Sequence, residues 1–152
     1  MVLVAPSVLR DMNITDVDKV LGIEQRVHAY PWTRGNFTDA HNSGYICKVY
    51  EAGGVMLGYA VLMPAVDEAH LLNISIAADH QRKGLGLKLL HQIMGIARGL
   101  NMRRVILEVR PSNSAALGLY RKAGFNELAL RRSYYPAAAN RREDAMVMEY
   151  LL

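Results

Sequence analysis

The stretch Gln81-Arg82-Lys83-Gly84-Leu85-Gly86-Leu87-Lys88-Leu89-Leu90 constrains this chain most. Before it, His70-Leu71-Leu72-Asn73-Ile74-Ser75-Ile76-Ala77 is an apolar run that reads as a strand, and 85–100 reads as a helix. Two glycines let backbone N–H groups face a bound anion with no Cβ in the way. The unpaired N–H groups of a helix's first turn, with the positive end of its dipole, favour phosphate there. Arg82 and Lys83 add full positive charge. Physically this is a pyrophosphate cradle. Taken alone, the loop also reads as a solvated basic turn. It fits neither of two common phosphate loops. A dinucleotide fingerprint wants a third small residue where Leu89 stands, and a Walker loop wants Ser or Thr after its lysine, where Lys88 is followed by Leu89.

Gln81-Arg82-Lys83-Gly84-Leu85-Gly86 is similar to the Gln/Arg-x-x-Gly-x-Gly/Ala signature of the GNAT superfamily of acetyl-CoA-dependent N-acetyltransferases. The resemblance implies that the loop's backbone amides hold the coenzyme A pyrophosphate. It leaves open which amine is acetylated.

The length of 152 residues suits one domain, 1–152, with a real core. With one cysteine, Cys47, no internal disulfide can form, and its apolar strand favours a buried, inert thiol. No apolar run reaches membrane-spanning length. Met1 to Pro6 is apolar but short and lacks a basic lead, so it is a poor signal peptide. A cytoplasmic protein is the expectation. The net charge of +4 suits a polyanionic ligand such as coenzyme A as well as it suits RNA. The basic residues are scattered rather than striped with aromatics, so direct nucleic-acid binding is not expected.

In order, Val8-Leu9-Arg10 reads as a strand, and Thr15 as the cap of a helix with Val17, Val20, Leu21 and Glu24 on one face. That helix ends before Pro31. A second helix, Thr33 to His41, is capped by Thr33. Tyr45 to Glu51 and Val55 to Met63 form a hairpin around Gly53-Gly54, with Pro64 as its stop and Asp67-Glu68 as the next turn. Ala69 to Ala77 is the strand before the glycine loop, and Arg104 to Arg110 is the next. Asn113 caps a helix from Ser114 to Ala123, closed by Gly124. Phe125 to Arg132 and Ala145 to Leu151 are the last strands, separated by a loop at 133–144. The helix from Leu85 joins two strands expected to be parallel neighbours, with the rest of the sheet antiparallel. This order is similar to that of the GNAT fold. The resemblance implies an α/β fold with a mixed, mostly antiparallel seven-stranded sheet, about four helices and splayed parallel central strands.

Glu108 stands out in its strand. Val105, Leu107 and Val109 point one way, and Ile106, Glu108 and Arg110 the other. A carboxylate inside a central apolar strand is costly unless paired or used. Partial burial would move its pKa toward neutrality, where a general base is most useful. A salt bridge with Arg110 or Arg103 is the plainer reading. Tyr120 reads most simply as a core tyrosine and Asn113 as an N-cap.

The blocks Leu107 to Ala116, Leu119-Tyr120, Gly124-Phe125, Ile23 to Trp32, Arg131 to Pro136 and Arg142 to Ala145 resemble the bacterial ribosomal-protein-alanine N-acetyltransferases (RimI). That resemblance implies Glu108 as general base, Tyr120 as general acid and Asn113 as a contact to coenzyme A. It also implies that backbone at Ile74, Ser75 and Ile76, with the loop Arg82, Lys83, Gly84, Leu85, Gly86 and Leu87, holds acetyl-CoA. Ser75 stands where relatives often carry alanine. The loop Ala137-Ala138-Ala139-Asn140 is less polar than is usual there. The implied partner is the N-terminal alanine of a small-subunit ribosomal protein, followed by a basic segment. Glu24, Trp32, Tyr134 and Tyr135 are the candidate acceptor-site residues. Glu24, Asp39, Asp67, Glu68, Glu143 and Asp144 would form an acidic groove, against the simpler reading of scattered surface carboxylates.

An α-amine has a pKa near ~8, so it must shed a proton to attack at neutral pH. Glu108, through a water, would take that proton, backbone near Ile76 would stabilise the oxyanion, and Tyr120 would protonate the leaving thiolate. No metal is expected, since histidines 28, 41, 70, 80 and 91 show no ligand spacing. A GNAT enzyme for another amine (a lysine side chain, a polyamine or a small molecule) and a binding module without turnover are the alternatives. Oligomeric state is not legible.

Overall fold

A period of two along the central strands divides the apolar residues between two cores. The computed structural model describes residues 6–152, so the reading of Met1 to Pro6 as a poor leader falls, up to residue 5, outside the described residues. The elements are β1 (Ser7–Asp11), α1 (Val17–Val27), α2 (Arg34–Asn42), β2 (Ile46–Ala52), β3 (Val55–Pro64), β4 (Glu68–Ile76), α3 (Leu85–Gly99), β5 (Arg104–Val109), α4 (Ser114–Ala123), β6 (Asn126–Pro136) and β7 (Arg142–Leu151). On β3, Ala60 and Leu62 join the core under α3 and α4, while Tyr59 and Val61 join the core under α1 and α2. The α3 residues Leu89, Leu90, Ile93, Met94 and Ala97 fill the first core, and Val17, Val20, Leu21, Phe37 and Ala40 fill the second. The sheet is therefore the middle of three layers. Cys47 is buried in the second core, where burial pushes its thiol up. No helix among the described residues is long and apolar enough to cross a membrane.

The seven strands lie in the order β1-β2-β3-β4-β5-β7-β6. As expected, β4 and β5 are parallel and joined through α3, and the other neighbours are antiparallel. The parallel pairing is short. It runs from Glu68–Arg104 to Leu71–Leu107 and stops there, although β4 continues to Ile76. Beyond Leu71 and Leu107 the two strands part, as the family resemblance implied. That parting opens the sheet where the chemistry-bearing residues lie.

Several local expectations hold. Thr33 accepts from Asn36 N–H, Asn113 from Ala116 N–H, and Gly124 closes α4 at φ 104°. Two need correction. The first helix is entered through a 3-10 turn, Ile14–Asp16, whose cap residue is Asn13 rather than Thr15, and the Asp16 carboxylate reaches back to accept from Asn13 N–H at 2.7 Å. Arg10 clamps the same carboxylate with two bonds of 2.8 and 2.9 Å and holds its pKa below the ordinary value. Thr15 cannot compete with a charged acceptor already fixed in place. The region 133–144 is mostly strand rather than loop. A shift in register between Arg131 and Tyr135, with Ser133 at φ 50°, carries β6 on to Pro136.

Candidate active site

Where β4 and β5 part, a cavity of about 180 Å³ opens. Leu72, Asn73 and Ile74 line it from β4; Glu108, Val109 and Arg110 line it from β5 and the turn after it. Asn113, Ala116 and Tyr120 close it from α4, Glu24 and His28 from the α1 side, and Tyr135 from β6. A second cavity of about 410 Å³ adjoins it, sharing His28, Tyr30, Arg110 and Asn113.

Glu108 faces this space with its side chain 11% exposed. Its ion partner is neither Arg110 nor Arg103. Arg131, from β6, donates Nη1 to Oε1 at 2.7 Å, and His70 Nε2 lies 3.7 Å from the same oxygen. Arg110 is occupied elsewhere. Its guanidinium sits between the Tyr30 and Tyr135 rings, 4.3 and 4.4 Å from their centroids, and donates to Pro136 O and Glu143 Oε1. It thus ties the segment after α1 to the β6–β7 hairpin.

Tyr120 is buried, packed on Phe125, and its hydroxyl has no protein hydrogen-bond partner among the described residues. Burial raises its pKa, so it stays protonated at neutral pH. Protonation is what a proton donor needs, though burial also makes release costlier. Asn113 Oδ1 caps α4, which leaves its amide nitrogen free at the cavity wall. Both readings of Asn113 are therefore compatible.

The glycine loop fits a phosphate. Gly84 is the residue before α3 and has φ 77°, a conformation that glycine adopts without strain. Arg82 is also left-handed, at φ 62°. No side chain caps α3, so its first-turn N–H groups keep their capacity for an external acceptor. Gln81 Nε2 donates to Ile76 O and anchors the loop to the end of β4.

The remaining sequence-derived residues separate. Trp32 is both wall and core, since it lines the cavity and packs on Phe37 at 5.0 Å. Tyr135 lines the cavity, and burial with the Glu108 charge pushes its pKa up to about 12. Tyr134 instead lies under Arg131, beside Glu108, outside that lining. The six carboxylates do not make one groove. Glu24 is buried inside the cavity wall, Glu68 pairs with Arg104, Glu143 with Arg110, and Asp144 accepts from Ser133 N–H.

Residues 13–125 match the sequence model of the Acetyltransferase (GNAT) family. This chain belongs to that family. It is an acetyl-CoA-dependent N-acetyltransferase. This GNAT chain is 38% identical over 140 residues to the ribosomal protein bS18-alanine N-acetyltransferase of Escherichia coli (strain K12), covering 92% of this chain and 94% of that one. The protein of the same name from Haemophilus influenzae is 34% identical over 142 residues, with 93% and 97% covered. The crystal structure of the ribosomal-protein-S18-alanine N-acetyltransferase from Escherichia coli superposes with a TM-score of 0.88 at 36% identity, over 96% of this chain and 94% of that one.

The sequence reading gave no role to three residues at or beside this cavity: His28 and Asn73, which line it, and Arg131, which pairs with Glu108. Asn73 carried a signal, as a polar side chain at an inward position of an apolar strand. His28 and Arg131 lay within the resembling blocks Ile23 to Trp32 and Arg131 to Pro136, but their partners, 47 and 23 residues away, were not legible.

Proposed function

We propose that this acetyltransferase moves the acetyl group of acetyl-CoA to the α-amine of an N-terminal alanine on a bacterial small-subunit ribosomal protein. Attack is direct, within a ternary complex. One observation carries the reading: Glu108 and the unpartnered Tyr120 hydroxyl line one cavity, at the parting of β4 and β5. The relatives named above for the same acceptor support it.

The chain's groups divide the work. The loop Arg82 to Leu87, backbone at Ile74, Ser75 and Ile76, and the free amide of Asn113 hold acetyl-CoA. Glu24, buried in the wall with both carboxylate oxygens already accepting, shapes the acceptor side, with Trp32 and Tyr135 beside it and Tyr134 at the rim. Glu108 takes a proton from the ammonium, through a water. The neutral amine attacks the thioester carbonyl, the nitrogen sheds its second proton, the C–S bond breaks, and Tyr120 protonates the thiolate. Holding both substrates in one cavity supplies much of the acceleration.

The test is mass spectrometry of a peptide beginning Ala-Arg, beside a copy with a blocked α-amine and a free lysine. Modification of the free α-amine alone is the expected result; modification of the blocked copy moves the reading to lysine. Glu108→Gln is expected to keep acetyl-CoA affinity and lose about 10²-fold or more in kcat. Full activity in that variant removes Glu108 as the base.

A further inference from the structure

Glu24 is a buried carboxylate, and three groups donate to it. Tyr59 OH and Asn73 Nδ2 reach Oε1 at 2.6 and 3.0 Å, and the Trp32 N–H reaches Oε2 at 3.0 Å. Among the described residues, the basic group that approaches it is His28, whose Nε2 is 3.7 Å from Oε1. A second, fully bonded route also joins them. Ser75 Oγ donates to Asn73 Oδ1 at 2.8 Å, and His28 Nε2 meets Ser75 Oγ at 2.8 Å.

The direction of each bond in this chain is forced. A carboxylate only accepts, so the Asn73 nitrogen faces Glu24 and its oxygen faces Ser75. The Ser75 proton is then committed to Asn73, so its oxygen must accept from His28. Nε2 therefore carries the imidazole proton, and the lone pair of neutral His28 sits on Nδ1. Nδ1 has no protein partner among the described residues, and the ring lines the same cavity as Glu108 and Tyr120. A carboxylate can in this way fix a histidine's tautomer through polar intermediates.

The reaction needs such a group. An ammonium that ends as an amide loses two protons, and Glu108 accounts for one. We propose that His28 is the second proton acceptor of the transfer, held in its accepting tautomer by Glu24 through Asn73 and Ser75; this rests on the roles given above to Glu108 and Tyr120. The first N–H bond breaks before attack, and its proton goes to Glu108. The N–C bond forms, and a second N–H bond breaks as Nδ1 of His28 takes that proton. The C–S bond breaks, and sulfur takes the Tyr120 proton. Of the two protons held by Glu108 and His28, one restores Tyr120 and one leaves to solvent, which His28 reaches with its side chain 33% exposed. Acetyl-CoA and the ammonium thus become the amide, free coenzyme A and one released proton.

The experiment uses the full chain with the Ala-Arg peptide. His28→Ala is expected to lose roughly 100-fold in kcat, the low end for a positioned proton-transfer group, with acetyl-CoA affinity unchanged. Added imidazole restores part of that loss in proportion to its concentration. Ser75→Ala keeps the ring and cuts the chain, and loses less. Undiminished kcat in His28→Ala overturns the proposal. So does a loss that imidazole leaves untouched, or one that His28→Gln avoids, since glutamine fills space and hydrogen-bonds without taking a proton. A fully active Glu108→Gln protein defeats the general-base reading instead, whereas an inactive Glu108→Gln beside a fully active His28→Ala removes only the second acceptor.

Discussion

Arg131 reaches over β7 from the edge strand β6 and sets Nη1 2.7 Å from Oε1 of Glu108 on β5. Its guanidinium also lies 4.3 Å from the centroid of the Tyr134 ring. Arginine donates and never accepts, so the pair aims the carboxylate without competing for a proton. Arg131 is half-exposed, and such pairs add little to stability. Arg131→Ala is therefore expected to leave the urea midpoint nearly unchanged while kcat/KM falls several-fold. Arg131→Lys keeps the charge, loses the planar stack on Tyr134 and recovers only part. Equal kcat/KM in all three proteins shows that the cavity alone orients Glu108.

The buried tyrosines make stability fall on the alkaline side. Burial first, then the Glu24 charge, raises Tyr59 far above the ordinary 10.0. Tyr120 is raised by burial, and Tyr135 is pushed up to about 12. With raised folded values, the unfolded chain gives up these protons first. Their contribution is complete below pH 10.0 and is lost as pH rises through the folded values. The urea midpoint should drop steadily across that range, in step with tyrosinate absorbance. Tyr59→Phe flattens the drop and costs about 1–2 kcal/mol at neutral pH, because Glu24 loses a donor. An unflattened slope assigns the alkaline loss to other groups.

Gly84 separates binding of acetyl-CoA from chemistry. A Cβ there meets nothing within 4 Å, but φ 77° strains any other residue by roughly 1–3 kcal/mol. The strain is relieved by turning the first amides of α3. Gly84→Ala should raise KM for acetyl-CoA several-fold and move kcat little. Lys83→Ala should also raise it and weaken its dependence on salt. A kcat loss with unchanged KM in both variants argues against this loop as the pyrophosphate seat.

What was legible in the chain is what short-range chemistry decides. The α1 spacing of Val17, Val20, Leu21 and Glu24 did place all four on the buried face. Thr33, Asn113 and Gly124 marked helix ends because each acts within a few residues. The strand–loop–helix around Gly84 also foretold the parallel pair. Contacts across the sheet were not legible. Glu108 has arginines nearby in sequence, at 103 and 110, yet its partner is Arg131, because β7 inserts between β5 and β6. Glu24 showed as a polar residue on an apolar helix face, but its donors Tyr59 and Asn73 come from two different strands. The hairpin beyond Arg132 was hidden by an irregular register that no alternation of apolar residues reveals.

Two glycines, one in a strand and one in a helix, should respond oppositely to the same methyl group. A Cβ on Gly58 would overlap the Ser75 carbonyl oxygen and stand 2.8 Å from Ile76 Cδ1. Gly58 pairs with Ile76 across β3 and β4, so the two strands would have to separate at the end that borders the cavity. Gly58→Ala is expected to cost about 1–3 kcal/mol, as overpacked sites do. It should also lower kcat, because Ser75 and Asn73 sit on the displaced strand. Gly22 lies in α1 with nothing within 4 Å of a Cβ. Gly22→Ala should stabilise by about 0.5–1 kcal/mol through helix propensity and leave kcat alone. Urea unfolding and steady-state rates on the two variants check both signs. If Gly58→Ala loses stability and keeps its rate, the strand spacing matters to the core alone, and the Ser75–Asn73 chain tolerates displacement.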